Sequence, residues 1–574
     1  MHPAVVLRDA ASGRWLRFTR PHDIIVATSI DAVGDALRRA ESCVNDDGRW
    51  AAGFITYDAA PAFDDALVAR SGSSEPLLWF GLFDAPESVT APSSSADAPL
   101  PSWAPTMSRA DYEAALERVK AHIADGDTYQ VNYTFRLQAP CATDAWPLFA
   151  SLVDAQPSSY AAFIDTGRHA ICSVSPELFF TLDDDVLTSR PMKGTARRGR
   201  FADEDAATAH WLHGSEKNRA ENVMIVDMIR NDIGRIADVG SVQVTELFTV
   251  ERYPTLWQMT STVTGRTRAS IADIFAALFP CASITGAPKS RTTSIIADLE
   301  TTPRGLYTGA IGVIAPHRRA QFNVAIRTMV IDRETTTATY GVGSGVTWDS
   351  DTNDEYDESL TKAQVLSERR PPFELLETLR WTPDDGYALL DRHLERIRRS
   401  ADYFDFAVDD SAIRRALAEA VGTFSAGPQI VRVLVTSAGA VRCTGKPLVA
   451  LPSPVRLSLA RTPVSSKDVF LFHKTTHRVV YDAARRECPG VDDVVLWNEQ
   501  GEITETTIAN IVVDLDGERW TPPVTCGLLA GTLREDMLAR GEIRERVLTR
   551  TDLARATRIT LINSVRGELP AVLV

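Results

Sequence analysis

The chain has no C-x-x-C pair. Its seven cysteines, Cys43, Cys141, Cys172, Cys281, Cys443, Cys488 and Cys526, are odd in number and scattered. That excludes the usual zinc-ribbon and thioredoxin-like spacings and favours free thiols over a disulfide framework. It also lacks a basic excess. The formal charge is −15, which argues against a nucleic-acid partner and gives no attraction to an anionic membrane. No uninterrupted apolar run reaches the roughly 20 residues of a spanning helix. The opening, MHPAVVLRDAASGRW, has no basic segment ahead of an apolar core, so no signal peptide is read there. No fixed-period repeat is present, which excludes a solenoid. The expectation left by these absences is a soluble cytoplasmic enzyme. Its 574 residues, 44% of them hydrophobic, suffice for more than one core.

The most loop-like stretch is APESVTAPSSSADAPLPSWAPT (85–106), rich in Pro, Ser and Ala. Pro371-Pro372 follows a charged helical run and stops it, because proline lacks a donor and clashes with the preceding turn. This places the main boundary near residue 370, between modules 1–369 and 370–574. Both halves read as mixed α and β. TYQVNYTFRLQ and AQFNVAIRTMVID have the β-branched and aromatic content of strands. SEKNRAENVMIVDMIRNDIGRIA reads as a helix with a broad apolar face, and DGYALLDRHLERIRRSADYF as a strand leading into an amphipathic helix.

In SDTNDEYDESLTKAQ, Glu355, Glu358 and Lys362 share one face of a helix capped by Asp351 or Asn353. Just before it, the glycines of YGVGSGVTWDS permit close approach of backbone N–H groups to an anion. Glu221 lies early in the other helix. Carboxylates beside an anionic ligand suit Mg²⁺. On pattern alone, a solvated set of i,i+3 and i,i+4 neighbours is the commoner arrangement. Lys193, in LTSRPMKGTARRG, is by composition only a lysine among arginines.

GDTYQVNYTFRL, SPELFF, PMKGTARRG, AENVMIVDMIRNDIGRI, FPCASITGAPKSRT, GLYTGAIGVI, FNVAIRT and GVGSGVTWDSDTNDEYDESLTKA occur in one order. In that order they resemble the chorismate-utilising enzymes, among them anthranilate, isochorismate, salicylate and aminodeoxychorismate synthases. The resemblance covers about 110–368, and AAGFITYDAAPAFDD (51–65) is similar to the family's amino-terminal part. It implies a large two-layer α/β domain. It implies Mg²⁺ held by Glu221, Glu355 and Glu358, and Arg327 clamping a substrate carboxylate. Thr285, Tyr307, Gly343, Gly345 and Lys362 would line the substrate site, and Glu177 would transfer a proton beside the ring. Anthranilate-forming members usually carry alanine at the position of Lys193, and aminodeoxychorismate-forming members carry lysine. The implied mechanism is attack by the Lys193 amine on the ring, a covalent intermediate, and entry of ammonia at C4. The amine must then be neutral, its pKa lowered by burial or by cations such as Arg197 and Arg198. Two positions depart from the family pattern. Gln258, in YPTLWQMTSTVTG, stands where many relatives have histidine, and SPELFF lacks the usual arginine after SPE. No glutaminase motif is visible, so ammonia is expected from solution or from a separate glutamine amidotransferase subunit.

In the second half, Lys474 precedes Thr475-Thr476-His477-Arg478, and LWNEQGEITETTIANIVVD reads as strand, turn at Gln500-Gly501, strand. Gly531-Thr532 opens a helix whose free N–H groups suit a phosphate. FELLETLRW, LLDRHLERIRRSA, Lys474, EITETTIANI and GLLAGTLR together resemble the fold-type IV pyridoxal-phosphate enzymes over about 373–574. That resemblance implies Lys474 as the Schiff-base lysine, Glu505 on the pyridine nitrogen, and Arg396 and Thr532 on the phosphate of pyridoxal 5′-phosphate. A homodimer through this domain follows by analogy only.

Joined, the two resemblances imply synthesis of 4-aminobenzoate, the folate precursor. Chorismate would be aminated at C4, and the product would lose pyruvate with Lys474 taking the C4 proton. The rivals are an anthranilate- or salicylate-type synthase fused to a D-amino-acid or branched-chain aminotransferase, and a second half that binds cofactor without turnover.

Overall fold

The structure is a computed structural model and describes residues 4–93, 101–366 and 372–574. The chain forms two compact units. One comprises 1–197 and 209–370, the other 198–208 and 371–574. The boundary expected near 370 therefore does not account for 198–208, which pack with the second unit. The Pro/Ser-rich stretch 85–106 carries two short strands, Glu87–Val89 and Ala104–Pro105. Its residues 94–100, and Pro371 of the double proline, lie outside the described residues.

In the first unit two antiparallel sheets face each other. Val5, Phe18, Ile164 and Ile171 of one sheet and Phe54, Trp79 and Ile311 of the other fill the space between them. Helices cover the outer faces. Ile30–Asp47, Glu216–Gly234 and Ile271–Leu278 pack through Leu37, Ile225 and Phe275 on one side. Arg109–Ala124, Ala145–Ala155 and Lys289–Leu299 pack through Leu116, Phe149 and Ile296 on the other. Each sheet and its helices thus make one α/β pair of layers. With side chains such as Phe54 fully buried, truncation to alanine costs about 3–5 kcal/mol.

AQFNVAIRTMVID, expected as one strand, is two. Arg319–Val324 belongs to one sheet and Thr328–Asp332 to the other. The chain changes sheets through Arg327, held at φ +49°, a left-handed conformation that a side chain adopts only at some cost. The longest pairing joins Gln130–Pro140 to Thr337–Val346, and the helix Thr352–Lys362 follows directly. That helix brings its acidic residues back over the glycines of the strand before it.

In the second unit a four-stranded sheet packs on Leu390–Phe404 and Asp410–Val421 through Leu379, Leu394, Ile397 and Leu417. A second sheet of eight strands is built around Leu457, Val495, Ile511 and Leu561. The two meet near Lys474, whose carbonyl accepts the Leu376 N–H at 2.9 Å. Among the described residues no helix is long and apolar enough to cross a membrane.

Candidate active sites

A cavity of about 530 Å³ in the first unit gathers Glu177, Lys193, Glu221, Tyr307, Arg327, Gly343, Gly345, Glu355, Glu358 and Lys362. Thr285, expected with them, is not in its wall. Thr285 is fully buried and its hydroxyl donates to the Cys281 carbonyl at 2.9 Å. Its neighbours Ser283 and Ile284 line the cavity instead.

Lys193 sits on the strand Met192–Arg197. Gly194, at φ +92°, sits inside that strand, where its pairing with Leu256–Arg266 shifts register between Met192 and Thr195. Gln258 fixes this irregularity, donating to the Gly194 carbonyl at 2.8 Å and accepting from the Thr195 hydroxyl at 3.1 Å. The residue that departs from the family pattern is thus a brace for the lysine strand. Burial lowers the pKa of Lys193. Glu221 and Glu177 oppose that shift, and Lys362 reinforces it. Arg197 and Arg198, expected to supply the field, do not. Arg197 donates to the Thr361 hydroxyl, and Arg198 is turned onto Asp205 in the second unit.

Glu177 is pushed up to about 7 by burial, against the Ser283 hydroxyl bonded to it at 2.5 Å and the charge of Lys193. A carboxyl near neutrality beside a buried amine is a proton donor and acceptor pair. Arg327 is half-buried, and its buried Nη1 lacks a partner among the described residues. An unmatched guanidinium donor is costly unless an anionic oxygen arrives. Lys362 bridges Glu358 at 2.7 Å and the Gly343 carbonyl at 3.0 Å. The glycines serve as clearance. A Cβ on Gly341 would lie 2.1 Å from the Tyr307 ring, and one on Gly345 would lie 3.0 Å from Lys193 Nζ.

Glu221, Glu355 and Glu358 are close enough for burial and mutual repulsion to raise Glu221, with Lys193 and Lys217 opposing. Among the described residues no trio of acidic, His or Cys side chains converges as a ready ligand cluster. Hard carboxylate oxygens on one wall nonetheless suit Mg²⁺, which binds through one or two carboxylates together with substrate oxygens.

Gln130 is the residue the sequence reading missed. Both atoms of its amide are buried without a partner, and its Nε2 crowds the same Gly345 Cβ position as Lys193. A signal was present. Gln130, Asn132, Thr134 and Arg136 alternate with Val131, Tyr133, Phe135 and Leu137, and all eight are buried. A wholly polar face on a buried strand marks a site or a network. Here it is both, since Thr134 and Arg304 bond Glu300 behind the cavity, while Arg136 lies over the Tyr307 ring at 5.0 Å.

The second unit holds a cavity of about 680 Å³ that gathers Arg396, Lys474, Arg478, Tyr481, Glu505, Gly531 and Thr532. Burial and the Arg396 charge lower the Lys474 amine to about 8, with Glu377 opposing. That size of shift disfavours the ammonium by about 3 kcal/mol. Glu505 accepts from the Tyr481 hydroxyl at 2.8 Å, the Leu529 N–H at 3.2 Å and the Asn510 amide at 3.2 Å. Burial still raises it to about 7. Arg396 is clamped by both oxygens of Glu377 at 2.8 and 2.7 Å and donates to the Ala530 carbonyl at 3.1 Å. That carbonyl lies just before the helix Thr532–Ala539, whose Gly531 cap has no side-chain bond. An amine, a buried carboxyl and an uncapped helix start with an arginine fit the aldehyde, ring nitrogen and phosphate of pyridoxal phosphate.

The profile of the chorismate binding enzymes matches residues 3–368, and that of the class IV aminotransferases matches 374–574. An aminodeoxychorismate synthase of Streptomyces griseus is 39% identical over 310 residues, 52% of this chain and 43% of its own length. Aminodeoxychorismate synthase component 1 of Bacillus subtilis is 40% identical over 272 residues, 46% of this chain and 56% of its own. The chain thus spans about half the length of these relatives. The crystal structure of anthranilate synthase component I from Streptococcus pneumoniae aligns with a TM-score of 0.53 at 25% identity, covering 64% of this chain and 90% of that one. The chain is a mixed α/β protein that belongs to the chorismate binding enzymes and continues into a fold-type IV aminotransferase domain.

Proposed function

We propose that the first unit aminates chorismate at C4 and that the second releases pyruvate from the product, giving 4-aminobenzoate. The observation that carries this reading is Lys193, a half-buried amine with lowered pKa in the wall of the same cavity as Glu177 and the unmatched Arg327 Nη1. Support comes from relatives named aminodeoxychorismate synthase at about 40% identity.

Arg327 binds a substrate carboxylate, and Tyr307 and the glycine edge shape the ring site. Lys193 Nζ forms a bond to the ring while the C4–O bond breaks. Glu177, protonated near neutral pH, gives its proton to the departing hydroxyl, which leaves as water. Ammonia then forms the C4–N bond, and the bond to Nζ breaks, returning the electron pair to Lys193. The extra proton on the new amine passes to Glu177. Gln130, whose amide atoms lack partners among the described residues, ends beside the same Gly345 position as Lys193. Mg²⁺, held through Glu221, Glu355 and Glu358, would neutralise a ring carboxylate and assist the leaving group. Ammonia comes from solution or from a separate amidotransferase subunit.

In the second unit Arg396 and the Gly531-Thr532 helix start would hold the phosphate of pyridoxal phosphate, and Glu505 would meet its ring nitrogen. Pyridoxal phosphate, when bound, supplies an electron sink. Lys474 removes the C4 proton, the C3–O bond breaks, and the ring becomes aromatic as enolpyruvate leaves and ketonises.

The test combines the pure chain with chorismate, Mg²⁺, ammonium and pyridoxal phosphate and identifies the products. The expected products are 4-aminobenzoate and pyruvate in equal amounts. Anthranilate without 4-aminobenzoate would overturn the reading.

A further inference from the structure

We propose that Arg198–Thr208 is a working part of the Lys474 site, and that its Arg200 carbonyl, with Ser400, holds His473 so that His473 positions the amine beside it. The proposal rests on Lys474 as the residue that carries pyridoxal phosphate. The segment begins five residues after Lys193 in sequence, yet it belongs to the second unit.

The segment is a short turn, Arg198 to Phe201, that runs into the helix Ala202–Gly214. Arg198 Nε donates to both oxygens of Asp205 at 2.8 Å, and Asp205 also accepts the Gly199 N–H at 2.8 Å. A Cβ on Gly199 would lie 2.2 Å from the Asp205 nitrogen, so this closure requires glycine. The Arg198 guanidinium lies 4.4 Å over the Tyr403 ring. Arg200 Nη1 donates to the Ser466 and Thr525 carbonyls at 3.1 Å. Phe201 stacks on Phe472 at 5.4 Å. Phe472 directly precedes His473.

His473 is 5% exposed. Its Nε2 lies 3.2 Å from the Arg200 carbonyl, which only accepts, so Nε2 carries the proton. Nδ1 is then the acceptor for the Ser400 hydroxyl at 3.0 Å. Burial keeps the ring neutral, its pKa lowered to about 4. Tyr403 and Phe404 pack on it at 4.4 and 4.7 Å. The Lys474 carbonyl is fixed independently by Leu376. Lys474 is therefore held from both sides, by a strand of its own module and, through His473, by 198–208. His473 is a positioning residue.

The charges facing Lys474 are Arg396, Glu377, Arg478 and Glu505. Those facing His473 are Arg198, Arg399 and Asp205. A displaced amine would change its distance to the first set. The full chain is titrated with pyridoxal phosphate, and the dissociation constant and midpoint pH of the cofactor's visible band are measured. His473→Ala, Phe201→Ala and Arg198→Ala are each expected to weaken binding at least about fivefold and to move the midpoint by about half a pH unit. His473→Gln keeps a donor for the Arg200 carbonyl and is expected to restore both. Circular dichroism and urea unfolding report that a variant is folded, and Asp205→Asn replaces Arg198→Ala if the latter is not. Wild-type binding and midpoint in His473→Ala and Phe201→Ala would overturn the proposal. So would a His473→Gln no better than His473→Ala. A band that persists unchanged in Lys474→Ala would overturn the reading of Lys474 instead.

Discussion

The two lysine sites make the same demand, a neutral amine on a half-buried side chain, and meet it with different balances of charge. Lys474 has Arg396 and Arg478 reinforcing burial, with Glu377 and Glu505 opposing it. Lys193 has Glu221, Glu177 and Glu358 opposing it, with Lys362 the reinforcing cation. At the second amine two arginines outweigh the carboxylates beside it. The first has one lysine against three carboxylates, so anything that neutralises those carboxylates frees it further. A cation at Glu221 and Glu358, or a proton on Glu177, has that effect. The first site is therefore the more strongly coupled to its ligands.

The strongest test of this comparison removes each amine in turn. Lys474→Ala is expected to abolish the cofactor band and 4-aminobenzoate formation while chorismate is still consumed. Lys193→Ala is expected to lower C4 amination by about 10³-fold or more, with the cofactor band intact. Product analysis beside absorbance reads both. If the Lys193→Ala chain still makes 4-aminobenzoate at the wild-type rate, the amine is a binding group only, and the contrast between the sites reduces to charge.

Much of both sites was legible in the sequence because the ordered motifs place residues singly. Arg327, Glu177, Lys193, Glu221, Glu355 and Glu358 come from distant segments and line one cavity. What was not legible depends on conformation. AQFNVAIRTMVID carries no break signal, yet it changes sheets at Arg327 because two sheets must be served by one chain. Thr285 lies in a quoted motif but points into the protein, where the Cys281 carbonyl takes its hydroxyl. Arg198 looked like a neighbour of Lys193 by spacing alone. Its partner Asp205 is also local, but Tyr403, on which it packs, is some two hundred positions away. Gln130 hid in a strand whose alternation was read for its apolar half.

A smaller effect separates the sites by stability rather than turnover. Glu505 is raised from 4.5 to about 7 in the fold. Its folded value exceeds its unfolded one, so the stability it contributes as a neutral acid is full below about 4.5 and is lost as pH rises through about 7. In the absence of cofactor, Glu505→Gln should therefore gain on wild type by about 3 kcal/mol between about pH 4 and pH 8. A loss of about 1 kcal/mol at both pH values is set against it, because a glutamine amide meets the Asn510 amide donor. Urea unfolding at the two pH values reads the difference. No pH dependence would mean that Glu505 is already ionised without cost. Its role on a ring nitrogen would then need no stored strain.

The smallest expected effect probes the clearance at the first site. Gly345→Ala places a methyl 3.0 Å from Lys193 Nζ and 2.5 Å from Gln130 Nε2. Both are ends of flexible side chains, so the fold should tolerate the change within about 1 kcal/mol. The amine, however, has to move away from the ring site to admit the methyl. A misplacement of this kind raises the barrier of the step that uses the amine more than it weakens substrate binding. The expectation is a fall of about tenfold in kcat for C4 amination with KM nearly unchanged, and no change at Lys474. A rise in KM alone would instead place the ring carboxylate, and not the amine, against Gly345.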